Sequence, residues 1–293
     1  MTLDPATLKK LTCPSSDTPV WLHVGTLLDG TSTPRSRVHV IYNANSILYV
    51  GEEAPPANLT QSKTAPDVSL DDYTLMPGLI DAHTHVFLDG SPLELDVRKA
   101  YLKQDNDAVL KVSRGRLTKL MSTGVLAMRD GGDNRGVGLK LAAEYRQALQ
   151  EGRSGGSPYI DSPGPGINKQ GRYGSFMCEP VENEGSPETC VAGRVKRGAD
   201  RIKLIATGII NFKKGAVTAP PQMDQIELSA FAAAAKEHDR STFAHASGDD
   251  GIEHVIEAGI DSVEHGYFVR DDQLQRMADR QIAWVPTLAP VQI

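Results

Sequence analysis

His83-Thr84-His85 sets two imidazoles two positions apart, straight after the largely apolar run 75–82. On a β-strand, positions i and i+2 point to the same side, so both rings can reach one metal ion from one face. Alone, such a pair reads equally well as two structural histidines near a strand end. The rest of the chain has to supply further ligands. His245 lies in Phe243-Ala244-His245-Ala246-Ser247-Gly248, and His265 in Val263-Glu264-His265-Gly266. Lys203, in Ile202-Lys203-Leu204-Ile205, alternates onto the side opposite Ile202 and Leu204.

The elements that must position these groups change character near residue 76. Residues 18–76 are β-rich. Segments 20–24, 38–42 and 47–51 carry β-formers, and Gly30 and Asn43-Ala44-Asn45 signal turns. Residues 52–70, with Pro55-Pro56, read as loop. His23 and His39 fall in these strands and read as structural or solvent-facing. Beyond residue 76, strands and helices alternate. Helices are expected over 100–121, 138–150, 224–237, 251–258 and 271–279. Strands are expected before His83 and over 124–130, 158–161, 200–207, 241–246, 261–265 and 282–286.

Seven strands interleaved with helices predict an α/β fold with a parallel sheet and helical crossovers. Eight such units close a (β/α)8 TIM-type barrel, with its active site at the C-terminal strand ends. His83 and His85 end strand one, Lys203 lies on strand four, His245 ends strand five and His265 strand six. Four histidines and a lysine on one rim read as a metal site rather than as packing. The division expected is a β-rich segment over 1–75 and a barrel over 76–293.

Composition bounds the rest. A chain of 293 residues with 40% hydrophobic residues can bury a large core, and its formal net charge is -6. Scattered Lys and Arg give no basic run, so neither nucleic acid nor an anionic membrane is an expected partner. No apolar stretch is long enough to span a bilayer, and residues 1–10 lack the apolar core of a secretory signal. Cys13, Cys178 and Cys190 read as free thiols of a reducing compartment, with a Cys178–Cys190 bridge left open. The cytoplasm is the expected location and a small molecule the expected partner.

From about Trp21 onward, the order and spacing of these motifs resemble the amidohydrolase superfamily, in its imidazolonepropionase-like and prolidase-like branch. Residues 76–85 resemble its strand-one signature and Asp200-Arg201-Ile202-Lys203 its metal-bridging lysine segment. The His245 and His265 motifs resemble those of strands five and six. The resemblance implies a small β-sandwich from the N-terminal segment and a centre of two divalent metal ions, most often zinc. His83 and His85 would hold one ion, and His245 and His265 the other. Lys203 would bridge them as a carbamate formed with carbon dioxide.

The resemblance also implies an aspartate at the end of strand eight, as metal ligand and proton carrier. No strand eight or matching aspartate follows the seventh strand here, and the barrel region falls short of the ~250 residues of a complete one. Asp81, Asp130, Asp249 and Asp250 read as structural. An open barrel exposes the edges of strands one and seven, which invites closure by another chain or a homo-oligomer. The alternative expectation is a fragment of a longer protein.

The activity implied is hydrolysis of an amide-type C–N bond in an N-acyl amino acid, dipeptide or cyclic amide. Lactone or phosphotriester hydrolysis and a catalytically incomplete metal-binding fragment are the alternatives. A mononuclear deaminase leaves Lys203 without a role. In the glycine-rich loop 171–176, Arg172 could fork onto a substrate carboxylate, and Tyr173 and Tyr267 could supply hydrogen bonds. Arg172 and Tyr173 read equally well as anchors of that loop.

Overall fold

The computed structural model describes residues 3–11, 18–31, 33–90, 94–153 and 156–289. Cys13 lies outside them. Two compact units are present, Met1–Gly78 and Leu79–Ile293.

In the first unit, β1 (Val20–Leu27), β2 (Arg35–Tyr42), β3 (Ile47–Gly51) and β4 (Val68–Leu75) form one sheet in the order β3-β2-β1-β4. The β1–β2 and β2–β3 pairs are antiparallel, while β4 runs parallel to β1. Leu22, Val24, Val38, Val40 and Val68 gather in one apolar cluster, with Leu11 of helix α1 (Pro5–Leu11) packed against it. His23 and His39 are register partners between Leu22–Val40 and Val24–Val38, so alternation turns them to the other face. The stretch 52–70 is not all loop: it holds the single turn α2 (Ala57–Thr60) and the start of β4. Asp71 and Asp72 disguise that strand in the sequence.

The second unit contains β5 (Leu79–Thr84), β6 (Val125–Asp130), β7 (Tyr159–Asp161), β8 (Gly166–Asn168), β9 (Cys178–Pro180) and β10 (Ile202–Ile205). A short hairpin of β11 (Ile210–Asn211) and β12 (Ala216–Val217) precedes β13 (Thr242–Ala246), β14 (Ser262–His265) and β15 (Ala283–Val285). One sheet runs β5-β6-β7 and another β15-β14-β13-β10-β8-β9, all neighbours parallel.

β7 and β8 are two pieces of one strand. Pro163 and Pro165 flank Gly164 between them and have no N–H to donate, so the ladder changes neighbour there. Ser162 and Asp200 hold the junction. The Asp200 N–H donates to the Ser162 carbonyl at 2.9 Å, and the Ser162 N–H to Asp200 Oδ2 at 2.9 Å. The described residues thus give seven parallel strand positions in chain order. Glu264 on β14 reaches across to His83 on β5 and Arg129 on β6. The sheet therefore curls into an incomplete (β/α)8 barrel.

Helices α3 (Leu95–Leu102), α4 (Asn106–Ser122), α5 (Val137–Gln150), α6 (Pro187–Lys196), α7 (Gln225–Glu237), α8 (Asp249–Ala258) and α9 (Asp271–Asp279) connect the strands. The single helix expected over 100–121 is two, because Asp105 caps α4 by accepting from the Ala108 N–H at 2.8 Å. Ile202, Leu204, Ala244, Ala246 and Val263 pack with Leu228, Phe231, Ile252 and Val255 of α7 and α8 in one fully buried layer. Strand alternation then turns Lys203, Phe243, Ser262 and Glu264 to the barrel interior. Burying each aliphatic side chain is worth about 1.5–3 kcal/mol, which fixes this register despite the charged residues it buries. Among the described residues, no helix is long and apolar enough to cross a membrane. Cys178 and Cys190 are free and buried, so the bridge left open by the sequence is not formed.

Candidate metal centre

Four histidines from three strand positions meet at one end of the barrel. Ring centroids stand 5.4 Å apart for His83–His85, 4.9 Å for His83–His265 and 4.5 Å for His245–His265. Each ring spends one nitrogen on a hydrogen bond. His85 Nδ1 donates to the Gly132 carbonyl at 3.1 Å, and His245 Nε2 to the Gly208 carbonyl at 3.3 Å. A carbonyl only accepts, so the contacted nitrogen carries the proton and the other keeps its lone pair. His83 Nδ1 meets Glu264 Oε2 at 2.5 Å, and His265 Nδ1 meets Thr287 Oγ1 at 2.6 Å. One nitrogen per ring is left over. Fixing one imidazole nitrogen so that the other can ligate is the usual support of a metal-bound histidine.

Burial keeps these rings neutral. It lowers His85 to about 4 and His245 to about 3, with Lys203 the next cause in both. His83 and His265 are pushed far below the ordinary range by burial too, with Lys203 and neighbouring rings adding to it. Neutral imidazole is the form that binds a metal.

Lys203 acts electrostatically on all four rings. It is 1% exposed, and its Nζ has no hydrogen-bond partner among the described residues. The Phe243 ring, 4.7 Å away, gives only a cation–π contact. The other buried atoms without partners belong to Arg35, Arg116, Asp161 and Asn168, groups that bond through another atom. Among the buried side chains of the described residues, Lys203 alone has its whole polar end unspent. An unpaired buried ammonium is costly, and burial lowers Lys203 to about 8, toward the neutral amine.

Four imidazoles with a lysine among them are a donor set that two ions could share. Among the described residues, no group of three or more His, Cys, Asp or Glu is disposed to hold one ion. Each expected pair, His83 with His85 and His245 with His265, offers two imidazoles, and the group near both is a lysine. The free amine therefore becomes a ligand only if modified or deprotonated.

Two glycines make room. A Cβ on Gly131 would stand 2.6 Å from His85 Cε1, so the turn after β6 can cradle that ring only as glycine. A Cβ on Gly166 would meet Cys178 Sγ at 2.7 Å and Lys203 Cγ at 3.2 Å.

The residues read as structural have assigned contacts. Asp81 Oδ1 accepts from the His83 N–H at 3.1 Å, within its own strand. Fully buried Asp130 accepts from Ser162 Oγ at 3.0 Å, and burial beside Asp133 raises it to about 7. Asp249 and Asp250 open α8, and Asp249 pairs with Arg270. Of the substrate candidates, Tyr173 lies 5.2 Å from the His245 ring. Tyr267 stacks on His265 at 5.9 Å and donates to the Thr287 carbonyl at 2.8 Å. Arg172 Nη2 donates to the Pro220 carbonyl at 2.7 Å, the contact of a loop anchor.

Sequence reasoning missed Glu264 as a site residue. It is fully buried and bonds His83, Arg129 and Ser262. Alternation along Val263-Glu264-His265 allows only one of the two polar residues to face inward. The structure turns both toward the cluster because His265 has φ 68°, a left-handed conformation rare outside glycine. The following glycine was the signal, since Gly266 (φ 61°) extends the same reversal.

Comparison with known proteins gives the family and the fold. Residues 74–283 match the amidohydrolase family. An uncharacterized protein of Mycobacterium tuberculosis is 28% identical over 233 residues, covering 78% of this chain and 54% of the relative. The ochratoxinase of Aspergillus niger is 24% identical over 299 residues, covering 93% of this chain and 59% of the relative. The chain thus spans a little over half the length of these relatives. A solved structure of a Xaa-Pro dipeptidase with bound methionine superposes with a TM-score of 0.72 at 24% identity, over 93% of this chain and 67% of that one. The structure of A. niger ochratoxinase gives a TM-score of 0.71 at 20% identity, over 94% and 66%. At these identities the superpositions speak for the fold.

Proposed function

The chain belongs to the amidohydrolase family, and on that premise we propose that it carries the metal centre of a hydrolase cleaving an amide-type C–N bond. The observation that carries this reading is the unspent Lys203 amine, buried beside four imidazoles that each give one nitrogen to a hydrogen bond. His83 and His85 would hold one divalent ion and His245 and His265 another, with zinc the expected metal. Lys203, carboxylated by carbon dioxide, would give both an oxygen ligand. Its lowered pKa supports this, because only the neutral amine reacts with carbon dioxide. When bound, such ions supply an activated water and polarise the scissile carbonyl.

The chain's own residues set the surroundings. The backbone carbonyls of Gly132 and Gly208 fix the proton on one nitrogen of His85 and His245. Tyr173 and Tyr267 place aromatic faces beside His245 and His265, where a substrate's apolar part would pack. Dipeptides and N-acyl amino acids are the substrate classes we assign. Support comes from the relatives described as Xaa-Pro dipeptidase and prolidase.

The test is metal analysis of the purified protein, together with release of free amino acid from such substrates before and after chelation. Turnover lost on chelation and restored by zinc supports the reading. Turnover indifferent to chelation, or no binding of divalent metal, overturns it. Metal binding without turnover favours the alternative, a metal-holding barrel that lacks its proton carrier. One observation favours that alternative: Glu264, the carboxylate touching the cluster, is already committed to three donors.

A further inference from the structure

Glu264, Arg129 and Ser262 have no task in the function proposed above. We infer that they form a lock on His83 that keeps its proton on Nδ1 and its Nε2 free as a donor. The lock rests on the metal-centre reading only for what the freed nitrogen is used for.

The two oxygens of Glu264 are divided. Oε1 accepts from Arg129 Nη2 at 2.7 Å and from Ser262 Oγ at 2.7 Å, while Oε2 meets His83 Nδ1 at 2.5 Å. Arg129 is itself pinned. Its Nε donates to the Ala82 carbonyl at 2.8 Å, on the residue before His83, and its guanidinium lies 4.8 Å from the Phe243 ring centroid. Guanidinium only donates, so the atom facing Arg129 has to be an acceptor. The carboxylate plane then aims Oε2 at the imidazole. An ionised carboxylate also only accepts, so the His83 proton sits on Nδ1. Glu264 is a positioning residue, acting through His83, and Arg129 orients Glu264. Three strand positions, β5, β6 and β14, are tied together at this one ring.

A nearly isosteric change at Glu264 should then move the His83 proton. In Glu264→Gln, the side chain has one accepting end and one donating end. Arg129 claims the amide oxygen, which turns the amide NH2 toward His83. Nδ1 must then accept, and the proton moves to Nε2, the nitrogen needed for a ligand. Adding Arg129→Met removes the donor that imposed this orientation. The amide can turn round and its oxygen again accepts from Nδ1–H. The double variant should therefore behave more like the wild type than Glu264→Gln does.

The experiment reads the His83 tautomer by nitrogen NMR of histidine-labelled, metal-free full chain, with His83→Asn assigning the signal. Zinc affinity by chelator competition and melting temperature are measured on the same samples. The expected result is Nδ1–H in the wild type, Nε2–H in Glu264→Gln, and a return to Nδ1–H in the double variant. Zinc affinity should fall about 10–100-fold in Glu264→Gln and recover in the double variant. Nε2–H in the wild type overturns the lock without any variant having to fold. An unmoved tautomer in a folded Glu264→Gln overturns it as well, whatever the melting temperature does. The expected tautomer pattern in a protein that binds no zinc sustains the lock and removes the metal-centre reading instead.

Discussion

In the first unit the rings of His23 and His39 stand 4.6 Å apart, and in the second those of His245 and His265 stand 4.5 Å apart. Spacing does not separate the two clusters, but their surroundings do. His39 Nδ1 accepts from Trp21 Nε1 at 3.1 Å, and His23 Nδ1 meets Asp71 at 2.7 Å, a side chain that is 69% exposed. That pair borders water through the Asp71 carboxylate. The barrel cluster is more deeply enclosed, with His245 7% exposed, and among the described residues Lys203, 1% exposed, stands within it without a hydrogen-bond partner. Proximity of histidines is thus a weak sign of chemistry. Burial combined with unspent donors is a strong one, because folding does not stabilise such a set unless something else occupies it.

Metal loading should separate the clusters most sharply. His245→Ala is expected to weaken zinc binding by more than the ~10–100-fold typical of losing an outer support. A His23→Ala/His39→Ala double variant should bind as the wild type does. Chelator-competition titrations with metal analysis check both. Equal losses in the two variants would erase the distinction.

Acid should separate them next. Burial depresses His85 to about 4, against about 6.5 for an unfolded histidine. Between those values the unfolded chain binds more protons than the folded one, so stability rises with pH. The contribution of His85 is fully present above about pH 6.5 and is lost as pH falls toward 4, by on the order of 3 kcal/mol. Urea unfolding of the metal-free protein across this range should show the slope, and His85→Phe should flatten it. The more exposed His39, also lowered chiefly by burial, should contribute little, so His39→Phe should leave the slope nearly unchanged.

The residues that set this contrast were unevenly legible. His83 and His85 follow from the i, i+2 rule, while the flanking aliphatics of Lys203 set only the side of its strand, and the barrel context was needed to make that side the interior. Glu264 was hidden because reading a strand by alternation assumes a regular backbone, and His265 departs from it with φ 68°. The third strand was read as one short piece at 158–161, because Pro163 and Pro165 mask its continuation as β8. β4 was lost to Asp71 and Asp72, whose polarity mimics a loop. Each failure has one cause: a local residue preference gave way to a pairing or contact made far along the chain.

The smallest effects should differ in sign. Lys203→Met removes an unpaired buried amine and keeps an apolar stem of similar length. In the metal-free protein it is expected to raise the unfolding free energy by about 1–3 kcal/mol, the usual cost of an unsatisfied buried polar group. His39→Phe strips Trp21 Nε1 of its acceptor at a site that was already satisfied, and should lower it by about 0.5–1.5 kcal/mol. Denaturant melts of both variants, with metal removed, make the comparison. A stabilised Lys203→Met that no longer binds zinc would show that the barrel gives up stability to keep an amine where a ligand is needed. A destabilised one would mean that Lys203 has a partner beyond the described residues, and the contrast between the two clusters would reduce to burial alone.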